Sequence, residues 1–147
     1  MSHYQGTVEE QLALSTYVKF VRAIEAVKSR IDQQDTVGDL KGAQFGTLEM
    51  IYHLGAINQK EIGTKLLMSK SNMVTVIDKL EKRQFVRRQR SEEDRRCVFV
   101  HLTPQGRKKI EELLPIHVAA ITAEMNRLTA DEQKEFGRMC RKLGLTK

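Results

Sequence analysis

The chain has 147 residues, 40% hydrophobic and 30% charged, with no Trp and two Cys. That length fits one domain, and the apolar content suffices for a packed core, which excludes a wholly disordered chain; no stretch reaches the roughly 18 apolar residues of a membrane span. The formal net charge of +6 is unevenly placed, since Lys60–Lys109 holds 14 Lys/Arg against six Asp/Glu and the remainder 11 against 13. Basicity concentrated in the middle third suits a polyphosphate partner, and suits a solvated basic face about equally well.

The first residues, Met1-Ser2-His3-Tyr4-Gln5-Gly6, lack the apolar run of a secretory signal. Cys97 and Cys140 are no disulfide framework. A cytoplasmic protein with reduced thiols is expected. From Val8 to Gln33, Phe20, Ile24, Val27 and Ile31 recur at spacings of four and three, which predicts a helix. A polar break at 32–35 and Gly38 precede a second helix over Ala43–His53, with Gly55 ending it.

Asn58-Gln59-Lys60-Glu61 reads as a capped helix start, Glu61 returning a bond to the cap, with Ile62, Leu66 and Leu67 on the buried side. Ser69 is the N-cap of the next helix, which runs to about Arg83, and two helices so close together have the shape of a helix-turn-helix. Two short strands, 85–90 and 97–102, flank the charged segment 91–96 and predict a hairpin with a charged tip. Thr103-Pro104 opens a long helix that Pro115 is expected to kink. Thr129 and Glu132 form a capping box for a last helix carrying Phe136, Met139, Cys140 and Leu143. The expected fold is mainly α with a small β-hairpin.

The helix after Ser69 has the two sides that major-groove binding requires. Met73, Val76, Ile77 and Leu80 share one face; Ser71, Thr75, Asp78 and Lys82 share the other, flanked by Asn72 and Lys79. Short polar side chains let the backbone approach base edges, and Asn addresses adenine with two bonds. Lys79 and Lys82 point to phosphates. An amphipathic helix whose polar face only meets water is the competing reading. The hairpin adds Arg87, Arg88, Arg90, Arg95 and Arg96, five guanidiniums within ten residues, and a narrow tip suits the minor groove, whose negative potential draws Arg in. Asp94, two residues before Arg96, has the placement to orient that guanidinium; an ordinary exposed ion pair is the alternative.

At this point the sequence resembles the MarR (multiple antibiotic resistance regulator) family. Asp94-Arg95-Arg96 and Leu102-Thr103-Pro104-Gln105-Gly106 are similar to that family's D-x-R…L-T-x-x-G signature, and Gln59–Gly63 and Ile77–Arg83 are similar to its helix-turn-helix. The likeness implies a winged helix-turn-helix lobe over about 40–103 of a single domain 1–147, with dimerisation helices over about 8–34 and 104–145. It implies double-stranded DNA and a second copy of the chain as partners, with Asp94 orienting Arg96 in the minor groove. The DNA-binding candidates are Ser69, Lys70, Ser71, Asn72, Thr75, Lys79, Lys82, Arg88, Arg90, Asp94, Arg95 and Arg96. Leu12, Leu14, Phe136, Met139 and Leu143 are interface candidates that equally suit an intrachain core. The family usually has Gly after the recognition helix where this chain has Gln84, which leaves open a differently built corner.

The resemblance also implies control by a small aromatic effector, phenolic or quinone-like, with Tyr17, Phe20, Tyr52, His53 and His117 as candidate lining; core or surface roles compete. The peroxide-sensing members carry a thiol in the first helix, and residues 1–40 hold no Cys. Cys97, near the basic wing, is either reactive or structural. His3, His53, His101 and His117 have no metal-ligand spacing, so neither metal nor cofactor is expected. With no G-x-S-x-G, P-loop or glycine-rich dinucleotide motif, an enzyme is not expected. The function implied is a sequence-specific transcriptional repressor at pseudo-palindromic operators, with an activator or a non-specific architectural DNA-binding protein as alternatives.

Overall fold

The computed structural model describes residues 3–40 and 42–145. In chain order the elements are α1 (Val8–Gln33), α2 (Ala43–Leu54), β1 (Ile57–Asn58), α3 (Gln59–Lys65), α4 (Lys70–Lys82), β2 (Val86–Arg90), β3 (Val98–Leu102), α5 (Pro104–Met125) and α6 (Ala130–Gly144). The mainly helical class is as expected, and the hairpin becomes a three-stranded antiparallel sheet of order β1-β3-β2. Strand β1 escapes sequence reading because two residues carry no periodicity. Only its pairing with β3, Ile57 opposite Val100, defines it.

Helix starts follow the capping chemistry of the sequence. Thr129 and Glu132 exchange bonds of 3.2 and 2.9 Å in a reciprocal box, and Thr7 and Glu10 do the same at 3.1 and 3.0 Å for α1. Ser69 Oγ accepts from the Asn72 amide at 3.2 Å, and Asn58 Oδ1 accepts from the Lys60 amide at 2.8 Å, but the return bond expected from Glu61 is not formed. Helix α5 continues through Pro115.

Contacts divide the chain into two compact units, one of Val37–Val118 and one of the described residues up to Thr36 with those from Ala119 onward. The first unit thus reaches beyond the expected lobe of 40–103 and takes in α5 as far as Val118. Its core joins Phe45, Leu48 and Ile51 of α2, Ile57 of β1, Ile62 of α3, Met73, Ile77 and Leu80 of α4, Val86 and Val100 of the sheet and Ile110 of α5. Emptying one such position, as in Ile77→Ala, typically costs about 2–5 kcal/mol.

Both helices of the helix-turn-helix end in the same way. The Met68 amide donates to the Gly63 carbonyl at 2.8 Å and the Leu67 amide to Thr64 at 3.2 Å; the Phe85 amide donates to Leu80 at 3.0 Å and Gln84 to Glu81 at 2.9 Å. These are Schellman ends, which demand a left-handed residue at the first position beyond the cap. Leu67 (φ 54°) and Gln84 (φ 65°) occupy it without being glycine. Gln84 therefore closes the helix as the usual Gly would. Leu67 is carried out of the core to 93% exposure, against the expectation that it packs inward.

The second unit is built differently. None of the 26 residues of α1 is buried, nor any of α6. The unit's Glu124 is 8% exposed; its carboxylate accepts from Arg30 Nε at 2.6 Å and lies 3.7 Å from Arg127 Nε. A buried carboxylate so paired is costly to orphan. Leu12, Leu14, Phe136, Met139 and Leu143 are between 36% and 72% exposed, so they are not intrachain core.

Beyond β3, Thr103 donates its amide to the Phe85 carbonyl at 3.1 Å, and its hydroxyl to the Gln84 carbonyl. Gly106, in the first turn of α5, lies against that same peptide: a Cβ there would come within 1.9 Å of the Phe85 oxygen and 2.8 Å of its carbonyl carbon. Backbone cannot yield as a side chain can. Gly106→Ala is expected to cost more than about 3 kcal/mol in denaturant unfolding of the full chain. Gln84→Gly, which removes a left-handed penalty, is expected to raise the thermal midpoint by roughly 2–3 °C, readable by circular dichroism.

Candidate nucleic-acid interface

Helix α4 presents two opposed faces. Met73, Ile77 and Leu80 are at most 1% exposed, and Val76 is half-buried against the same core. Ser71, Asn72, Thr75, Asp78, Lys79 and Lys82 are all exposed. Of the expected contact residues, Ser69 is occupied as the cap, and the Thr75 hydroxyl donates to the Ser71 carbonyl at 3.2 Å, leaving its lone pairs and methyl group outward. Lys70, Lys79 and Lys82 are exposed and make no ion pair among the described residues. Val74, 36% exposed on the flank, was not singled out by the sequence reading, which took only polar side chains for the outer face.

The wing tip is organised by Asp94. Its Oδ1 accepts from the Arg96 amide at 3.0 Å and from Arg96 Nε at 3.1 Å, while Oδ2 takes Arg96 Nη2 at 3.3 Å. The Cys97 thiol donates to the same oxygen at 3.7 Å. These bonds hold the Asp94 carboxyl below the usual carboxylate range. The Arg96 side chain is nevertheless 91% exposed. The pair expected from the spacing is therefore formed, with the guanidinium otherwise in solvent. Arg90 donates to the Arg95 carbonyl at 2.6 Å, bracing the tip, and Arg95 itself is exposed. Burial, then the nearby Arg87 charge, holds His101 below the usual imidazole range.

Arg88 does not join this outward set. It lies opposite Val100 in the β2–β3 ladder, on the face that Val86 shares, and its side chain is only 23% exposed. It is engaged by Asp78, Glu81, Gln59 and the Val74 carbonyl. Arg88, expected among the DNA contacts, is thus turned inward by strand alternation and held by these groups. Arg83, C-terminal to α4, is likewise engaged, donating to Asp39 at 2.7 Å.

A recess of about 330 Å³ lies where the starts of α3 and α4 meet the wing; Lys60, Thr64, Lys70, Met73, Arg96 and Val98 are among its lining. It brings the first turn of α4 and the wing guanidinium to one rim. Lys60, absent from the expected contacts, stands there too. Of the aromatic candidates, Tyr17 and Phe20 are 64% and 38% exposed on α1. In the other unit the Arg107 guanidinium sits 5.5 Å above the Tyr52 ring, and His117 packs 4.6 Å from Phe45. His53 is exposed. Among the described residues no group of His, Cys, Asp or Glu is placed to hold a metal, and no helix is long and apolar enough to cross a membrane.

The Asp94–Arg96 pair has a pH signature. A depressed carboxyl contributes stability above its unfolded value and loses it as pH falls through the folded one. In a carboxyl NMR titration Asp94 is expected to titrate below ordinary Asp, and Arg96→Ala to move its midpoint upward; an unmoved midpoint would break the pairing.

The MarR family model matches residues 40–98. The HTH-type transcriptional regulator YkoM of Bacillus subtilis is 31% identical over 137 residues, 93% of this chain and 89% of YkoM. Among solved structures, BpsR of Bordetella bronchiseptica, whose DNA binding is regulated by 6-hydroxynicotinic acid, superposes with a TM-score of 0.77 at 26% identity, over 89% of this chain and 99% of its own. Sco3205 of Streptomyces coelicolor, a MarR family regulator solved in complex with DNA, gives 0.75 at 25% identity, over 98% and 92%. With the two-faced α4, the wing and the Thr103–Gly106 corner, these likenesses establish that the chain belongs to the MarR family of DNA-binding transcriptional regulators.

Proposed function

We propose that this regulator is a homodimeric repressor that occupies a pseudo-palindromic operator and leaves it when a small aromatic effector binds. The observation that carries the reading is the pairing of an exposed, carboxylate-oriented Arg96 with the outward Ser71-Asn72-Thr75 face of α4. Asn72 and Ser71 supply base-edge bonds in the major groove, Lys70, Lys79 and Lys82 meet phosphates, and Arg95 and Arg96 enter the minor groove, with Arg90 and Asp94 bracing the tip. Coating DNA without sequence preference needs only Lys and Arg, so short polar side chains at the centre of the face favour a specific site.

The dimer is supported by the unburied apolar residues of α1 and α6. Leu12, Phe136, Met139 and Leu143 lie in solvent in the single chain, an arrangement that a two-fold copy relieves. Two-fold symmetry then sets the recognition helices about one DNA turn, roughly 34 Å, apart. For the effector, the regulation of BpsR by 6-hydroxynicotinic acid supports a hydroxylated aromatic ligand. Tyr17, Phe20, Tyr52, His53 and His117 are the residues proposed to meet it, and a phenolic or quinone-like compound has the matching chemistry.

The test is recovery of fragmented source-genome DNA on the purified protein at near-physiological salt. A few enriched fragments sharing a pseudo-palindrome are expected, with Arg96→Ala weakening binding to them by at least about tenfold, as the loss of one good groove contact does. Salt-sensitive binding without enrichment would overturn the reading in favour of an architectural protein.

A further inference from the structure

Arg88 is placed where three elements meet, β2, α3 and α4, and its side chain is only 23% exposed. From β2 its Nη1 reaches Asp78 Oδ1 at 2.7 Å and Glu81 Oε1 at 3.0 Å, both on α4. Its Nη2 donates to the Val74 carbonyl at 3.2 Å, inside the same helix. Its Nε donates to Gln59 Oε1 at 2.9 Å, at the first residue of α3. The backbone joins in, since the Arg88 amide donates to Glu81 Oε2 at 3.0 Å. One planar, rigid donor set therefore ties the wing strand to the middle of the recognition helix and to the start of the preceding helix.

The geometry points to Arg88 as a positioning residue for sequence readout: it acts on DNA only through α4, by fixing the helix's rotation and tilt against the wing. The hydrophobic contacts of Met73, Ile77 and Leu80 hold α4 in the core, but apolar packing is non-directional. Directional bonds to Val74, Asp78 and Glu81 select one setting of the polar face. A rotation of α4 that left the core filled would move Ser71, Asn72 and Thr75 off the base edges while phosphate contacts, tolerant of small displacements, persisted.

This inference rests on α4 being the recognition helix, and its readouts separate it from a direct phosphate contact by the same Arg. Binding is measured for two duplexes, the best one selected by the parent protein from a random-sequence library and poly(dI-dC), each over a range of salt. Arg88→Gln is expected to weaken the selected duplex at least tenfold while poly(dI-dC) changes less than threefold, with the slope of log K against log salt unchanged. A phosphate contact predicts an equal loss on both and a slope smaller by about 0.9, and that pattern would sink the proposal. Glu81→Ala removes no positive charge, yet it deletes two of the bonds. It is expected to narrow the gap between the two duplexes at least threefold; an unchanged gap also overturns the proposal. Arg88→Lys keeps the charge and loses the fork, so it serves if Arg88→Gln does not fold. It is expected to lose discrimination, and discrimination at the parent's level would refute the positioning role. If the parent selects no preferred duplex, it is the recognition-helix reading that fails, which is a different result.

Discussion

Met73, Ile77 and Leu80 leave at most 1% of their surface to solvent, and the outer face of α4 depends on that anchorage. A helix whose outer face carries short polar side chains cannot hold itself in place by those side chains. The apolar ridge on its other face does so, against α2, the sheet and Ile110 of α5. The outer face is then free to carry Ser, Asn and Thr, which contribute little to stability and leave the backbone close to whatever docks. The division of labour lies in the sequence period itself, since residues three and four apart share a face and residues between them do not.

The wing follows a related logic at smaller scale. An exposed Arg has many rotamers, and ordering it on binding costs free energy. Asp94 makes three bonds to Arg96, two to the guanidinium and one to the amide, which narrow that choice in the unbound chain. The same carboxylate closes the turn, so tip shape and guanidinium direction are one feature. The basic charge counted in the sequence thus separates into kinds. Arg83 and Arg88 are consumed by carboxylates within the fold, whereas Arg96 and the lysines of α4 remain outward.

Much of this was legible in the residues. The helices announce themselves through their spacing and through Asn58, Ser69, Thr103 and Thr129, and the two faces of α4 follow from period alone. What stayed hidden needed partners far along the chain. Strand β1 exists only because Ile57 meets Val100. Arg88 looked like one more wing cation, although alternation from Val86 already put it on the inner face; the carboxylates that make such burial tolerable sit seven and ten residues earlier on another element. Leu67 looked like core because its neighbours are, and only the left-handed turn at the helix end sends it outward. Gln84 shows the opposite case, a departure from the family's glycine that the fold absorbs without changing the corner.

The junction between Phe85 and Gly106 has a consequence for how such a protein can vary over time. The start of the wing and the first turn of α5 meet through the carbonyl of one residue and the bare Cα of another, with the Thr103 amide alongside. No side-chain volume enters that separation. Substitutions that repack the core or recharge the wing can accumulate on either side, while the spacing between strand and helix is set by atoms common to all amino acids. Lineages are thus able to change what the lobe reads without changing the frame from which it reads, so long as position 106 keeps its glycine.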